Sequence, residues 1–143
     1  MSEHHRRLER MFLAAPCNQK FSQLRIEISD GHAEVSFEVT PDLRHAAGGV
    51  HGAYFFKALD DAAFFAASSM VEDVFMLTAE LSIQFLRPLT EGRVTSTGRV
   101  TKAGKTLFFV DSVVTREDGE EVGRGRGSFT RSKMPLGEIA LYR

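Results

Sequence analysis

The sequence predicts an α+β fold: an antiparallel sheet with one long central helix lying against a face. Three observations carry this. The hydrophobic period is two through residues 21–39 and again through the whole second half of the chain, with Gly or Pro turns between the runs. Between those regions one segment, from near His51 to Ser69 or Met70, is apolar on nearly every side at helical length. No repeat, linker or low-complexity tract divides the order of helix, two strands, long helix and four strands, so residues 1–143 are expected to form a single domain opened by a helix within residues 1–16.

The first helix follows from Leu8, Met11, Phe12 and Ala15, which recur at spacings of three and four over residues 3–14 before Pro16 closes the element. From Phe21 the pattern changes. Leu24, Ile26 and Ile28 alternate with Arg25 and Glu27, Asp30-Gly31 supplies a hairpin turn, and Val35, Phe37 and Val39 alternate with Glu34, Ser36 and Glu38 as far as Pro41. "DLRHAAGG" reads as the loop into the long helix. The third strand, 75–86, ends at Pro88 and carries Leu81, Ile83 and Phe85 on one face. Strand 92–101 runs to a tight turn at "KAGKT", strand 105–115 to Asp118-Gly119, and the last strand covers about 121–131. Strand 105–115 is apolar on both sides, with Leu107, Phe109 and Val113 on one and Phe108, Val110 and Val114 on the other. One helix covers one face, so the other face or the sheet edge is expected to meet a partner subunit.

Composition narrows the function. Eighteen Lys and Arg stand against 19 Asp and Glu, a net charge of −1, without the basic excess of a nucleic-acid binder but compatible with a ligand bearing a few phosphates. The single Cys17 excludes an internal disulfide and fits a reducing compartment. The apolar run "MFLAAP" is too short for a secretion signal, and no segment approaches the ~20 apolar residues of a membrane span. A soluble cytoplasmic protein with neither nucleic-acid nor membrane partners is expected. No His, Cys, Asp and Glu set has metal-ligand spacing, and neither a phosphate loop nor a Ser-His-Asp order is present.

The chemistry concentrates on the long helix. Gly48, Gly49 and Gly52 crowd around His51, with Ala53 following. Small residues there let a ligand approach the free N–H groups of a helix start, which suits a carbonyl oxygen gaining charge in acyl transfer; alternatively the glycines serve only packing or positive φ. Further on, Lys57, Asp60 and Asp61 interrupt the apolar run. At about 100° per residue Asp61 shares the side of Lys57 and Phe65, whereas Asp60 lies with Ala53, Phe56 and Phe64. A carboxylate among Phe side chains has its basicity raised, as a nucleophile or general base requires, although a buried carboxylate capping nearby backbone has the same pattern. Gly52 and Asp60 are roughly 12 Å apart on one helix. A carbonyl held by the Gly52 N–H is therefore out of reach of the same chain's Asp60. Two helices antiparallel about a two-fold axis solve this, and an acyl-transfer site would then be built twice at a dimer interface.

"HAAGGVHGA" followed by "ALDD" is similar to the pattern Asn-x-x-Gly-x-x-His-Gly-Gly and its later carboxylate, with Gly48, His51, Gly52 and Asp60 on the matching positions. With "LSIQFLRPL" and "GKTLFFVDSVV", whose hairpin is Gly104-Lys105-Thr106, the chain after its first helix resembles the hotdog-fold acyl-CoA thioesterases of the PaaI type, the group of hydroxyphenylacetyl- and hydroxybenzoyl-CoA thioesterases. That resemblance implies a hotdog fold, its antiparallel sheet wrapped around one long central helix, homodimers that often pair into homotetramers, and coenzyme A lying along the interface as part of the substrate, with no separate cofactor. It implies that the Gly52 N–H polarises the thioester carbonyl and that Asp60 of the partner chain is nucleophile or general base. Thr78 falls where relatives have a Ser or Thr that positions water or the carboxylate. His45 stands in place of the usual Asn, as a possible second donor to the carbonyl, and Ala53 replaces the second Gly.

Other residues carry double readings. His51 is a general base or a lock on the loop. Arg124 and Arg126, alternating with glycines on the last strand, hold coenzyme A phosphates or form a solvated, ion-paired face. Lys102 and Lys105 beside the "KAGKT" turn are a second phosphate candidate. Tyr54, Phe55, Phe56, Phe64 and Phe65 line an acyl pocket or are core, and His4, His5, Arg6 and Arg7 read as a solvated helix end. The expected activity is hydrolysis of an aryl or medium- to long-chain acyl-CoA. Its rivals are a non-catalytic acyl-CoA-binding sensor and an acyl-thioester hydratase or dehydratase.

Overall fold

The computed structural model describes residues 2–143. Helix α1 (Glu3–Ala14) starts at Ser2, whose hydroxyl accepts the His5 N–H at 3.1 Å. Strands β1 (Ser22–Ser29) and β2 (His32–Glu38) precede helix α2 (Gly52–Ser68). Strands β3 (Val74–Phe85), β4 (Arg93–Ala103), β5 (Leu107–Thr115) and β6 (Glu121–Pro135) follow it. All six strands form one antiparallel sheet in the order β1-β2-β4-β5-β6-β3. Helix α2 touches every strand, so the sheet curls around it.

Small residues permit that closeness. Ala58, Ala62, Ala63 and Ala66 are buried on α2, and a Cβ on Gly98 of β4 would collide with the Ala62 carbonyl. A Cβ on Gly125 of β6 would lie 3.4 Å from that of Leu59. The glycine face of the last strand therefore meets α2, and Arg124 and Arg126 point the other way.

Three differences from the sequence pattern have physical causes. Lys105 and Thr106 lie in the β4–β5 turn, not in β5. Strand β6 continues to Pro135 because β3 pairs with it as far as Val74. His4 and His5 are not a solvated helix end: both are buried, 5% and 6% exposed, because α1 packs over the C-terminal end of α2. There His4 Nε2 donates to Ser68 O at 2.8 Å and His5 Nε2 to Ser69 O at 3.2 Å.

The two sheet edges are treated differently. The Ile28 N–H of β1 donates to the Glu9 carboxylate at 2.8 Å, so α1 covers that edge. The β3 edge is uncovered, and Leu77 and Phe85 upon it are 48% and 59% exposed. No helix among the described residues is long and apolar enough to cross a membrane.

Candidate active site

The start of α2 is held by two histidines. Residues 44–50 form a small hairpin in which Arg44 bridges Val50, the His45 N–H donates to Gly49 O at 2.8 Å, and the Gly48 N–H donates to His45 O at 2.9 Å. Gly48 has φ of +92°, so the turn needs glycine there. His45 Nδ1 accepts the Ala47 N–H at 3.1 Å, which leaves Nε2 of the neutral ring as a donor. That nitrogen lies over Gly49, where a Cβ would come within 3.0 Å of it.

His51 is the N-cap. Its Nδ1 accepts the Ala53 N–H at 2.9 Å, and its carbonyl accepts the Tyr54 N–H at 3.0 Å. Among the described residues, Gly52 is left as the first-turn amide with no partner. It borders a cavity of about 410 Å³ lined also by His45, Phe55 and Phe85. A free N–H at the positive end of a helix, with an imidazole N–H nearby, can bind an oxygen that becomes anionic.

The carboxylates lie two turns further on. Thr78 Oγ1 donates to Asp60 Oδ1 at 2.9 Å. A bulge between Thr78 and Glu80 makes this possible. After it Leu81 and Phe85 point toward α2, and strict alternation would turn Thr78 to the opposite face. The bulge reverses the parity, so Met76, which is buried, and Thr78, which is exposed, also face the helix. Burial raises the Asp60 carboxyl above its usual range, against the opposing effects of the Thr78 hydrogen bond and the Lys57 charge.

Asp61 pairs with Lys57 at 2.7 Å, and the Lys57 ammonium lies over the rings of Phe12 and Phe21 at 5.8 and 5.3 Å. Helix periodicity places Asp60 on the apolar side and Asp61 beside Lys57; the pairing is as expected, but the apolar side is not the deeper one. Asp61 is the more enclosed, and burial pushes it up to about 6 despite the ammonium. The cause is α1 and Phe21, which cover the Lys57 flank, while Asp60 lies next to the bare part of α2, where Ala53 is exposed and Phe56 is 40% exposed.

The single chain does not bring Gly52 and Asp60 together. Gly52 and His45 border one cavity, while Asp60, Asp61, Lys57 and Thr78 border another of about 440 Å³. Arg124 is paired with Glu121 at 2.7 Å and Arg126 with Asp111 at 3.1 Å, both on the sheet face away from α2. Lys102, Lys105 and Thr106 are exposed at the β4–β5 turn, and neither lysine has an ion-pair partner among the described residues. No three His, Cys, Asp or Glu among the described residues converge to hold a metal ion. The sequence reading missed Phe75, Ile139 and Leu141, which line the Asp60 cavity. Phe75 had a strand pattern around it, but "LGEIALYR" has no period that would have flagged the other two.

Residues 47–123, just over half of the chain, match the sequence profile of the thioesterase superfamily, and the chain belongs to that superfamily. Its architecture is the hotdog fold: it superposes on the PaaI protein of E. coli, from the phenylacetic acid degradation operon, with a TM-score of 0.82 over 94% of this chain and 99% of that one at 24% identity. A conserved protein of Pseudomonas aeruginosa gives a TM-score of 0.78 at 27% identity, over 86% of this chain and 98% of that one. Two candidate esterases of Saccharolobus solfataricus are also similar. One is 34% identical over 85 residues, 59% of this chain, which spans only 57% of that relative. The other is 27% identical over 130 residues, 90% of this chain and 93% of its own length.

Proposed function

We propose that the protein hydrolyses acyl-CoA thioesters to a free acid and coenzyme A, at a site completed by a second copy of the chain. The observation that carries this is a single helix bearing an unpartnered amide at Gly52 and, roughly 12 Å along, a half-buried carboxylate of raised basicity held by Thr78. With two α2 helices antiparallel across a two-fold axis, Gly52 of one protomer meets Asp60 of the other. The uncovered Phe56 face of α2 and the bare β3 edge support this pairing.

The thioester carbonyl oxygen accepts from the Gly52 N–H, with His45 Nε2–H as second donor. Water adds to the carbonyl carbon while Asp60 takes its proton, the C–S bond breaks, and that proton goes to the departing thiolate. If Asp60 itself attacks first, water then cleaves the acyl–aspartyl anhydride, and the same carboxylate is required. Lys102 and Lys105, exposed and without ion-pair partners among the described residues, are freer to meet coenzyme A phosphates than Arg124 and Arg126, which already have carboxylate partners.

Thiol release from benzoyl-, phenylacetyl- and hexanoyl- through palmitoyl-CoA tests this. Asp60→Asn is expected to lose at least about a hundredfold in kcat with unchanged folding, and Asp61→Asn far less. Binding without release from any member of the panel would point to a sensor. Full activity in Asp60→Asn would remove the assignment.

A further inference from the structure

The cavity beside Asp60 is walled in part by segments of the chain that lie outside residues 47–123, and this bears on substrate choice. We infer that it seats the acyl group, selects an uncharged apolar chain, and measures chain length against Ile139 and Leu141 of the C-terminal segment and Met11 and Phe12 of α1. This rests on the thioester hydrolysis proposed above.

The volume, about 440 Å³, is that of a small-molecule site. Phe64 lies one turn beyond Asp60, roughly 6 Å along the helix, and its ring meets that of Phe75 at 5.4 Å between centroids. A chain whose carbonyl is at Asp60 thus runs along aromatic surface toward Ile139. Among the described residues of the lining the one cation is Lys57, already paired with Asp61 at 2.7 Å. A second carboxylate on the acyl group would be desolvated with no free partner, so dicarboxylic acyl groups are rejected.

The wall is fixed in place. Tyr142 is 6% exposed, its hydroxyl donates to His4 Nδ1 at 2.7 Å, and His4 Nε2 donates in turn to Ser68 O on α2. The Tyr142 N–H donates to Ile139 O at 3.0 Å, closing the turn that presents Ile139 and Leu141. The first and last segments are thereby clasped onto the end of α2, with the cavity between them.

The test compares thiol release from acetyl-, hexanoyl-, decanoyl- and succinyl-CoA by the full chain and by Ile139→Trp and Leu141→Trp. Filling the wall is expected to lower kcat/KM for decanoyl-CoA by roughly tenfold or more while acetyl-CoA is nearly unaffected. Equal losses at every length, or an unchanged rank order, overturn the gauge; succinyl-CoA used as well as hexanoyl-CoA overturns the selectivity. Should Ile139→Trp fail to fold, Leu141→Trp, at a position 43% exposed, carries the comparison. A second readout needs no turnover: decanoic acid titrated into methyl-labelled protein is expected to shift the Ile139 and Leu141 methyl resonances saturably. Absence of that shift overturns the cavity assignment. A chain that shows it yet hydrolyses none of the four thioesters overturns the reaction and leaves the cavity standing.

Discussion

Asp60 has neighbours that pull its titration in opposite directions: burial raises it, and the Thr78 hydroxyl and Lys57 charge lower it. In the proposed reaction the ionised form works, so activity falls as pH drops through its pKa, and that acid limb lies above the ordinary carboxylate value of 3.8. Thr78→Val removes a hydrogen bond to the charged form and raises the pKa further. The limb of the kcat/KM profile is expected to move to higher pH, with kcat reduced at neutral pH; an unmoved limb would mean Thr78 does not act through Asp60. Asp61 makes a separate prediction. Its value in the fold, about 6, exceeds the ordinary 3.8, so the folded protein holds a proton that the unfolded chain releases. Its contribution to stability is fully present below about pH 4 and is lost as pH rises through about 6, on the order of 2–3 kcal/mol. Denaturant unfolding across that range should show a shallower pH dependence in Asp61→Asn.

At the scale of elements, α2 and the sheet fit because glycines and alanines meet. Gly98→Ala sets a methyl against the Ala62 carbonyl, a backbone atom that cannot swing away, and is expected to cost about 3 kcal/mol or more, read as a fall in the unfolding midpoint. The elements themselves were legible in the sequence, because the period of two and the all-round apolar run are local signals. The helix over 3–14 and the Lys57–Asp61 pair follow from spacing alone. What spacing could not supply was tertiary. The bulge after Thr78 leaves no mark in the apolar pattern, yet it decides which face Thr78 presents. The burial of His4 and His5 depends on where α1 docks, and the relative depth of Asp60 and Asp61 on the same event. Likewise Ile139 and Leu141 reach the Asp60 cavity only through the clasp at Tyr142, across 138 residues of sequence from His4.

For the whole molecule, the separation of Gly52 from Asp60 is the decisive quantity. Phe56 lies on the uncovered side of α2, so Phe56→Glu is expected to give monomers by light scattering and to abolish turnover together with the pairing. The most direct test uses two inactive variants. Gly52→Pro deletes the N–H at the first helical position, where proline is tolerated, and the preceding His51, with φ −62° and ψ 141°, already has the conformation proline requires. Gly52→Ala, which adds a Cβ beside the far end of the exposed Phe85 ring but keeps the N–H, is its control. Asp60→Asn and Gly52→Pro are purified separately, unfolded and refolded together, and assayed for thiol release. Random pairing gives dimers in which one site has both defects and the other neither, so the account predicts recovery of about a quarter of native activity. Activity no greater than that of the two variants assayed apart would contradict a site shared between chains.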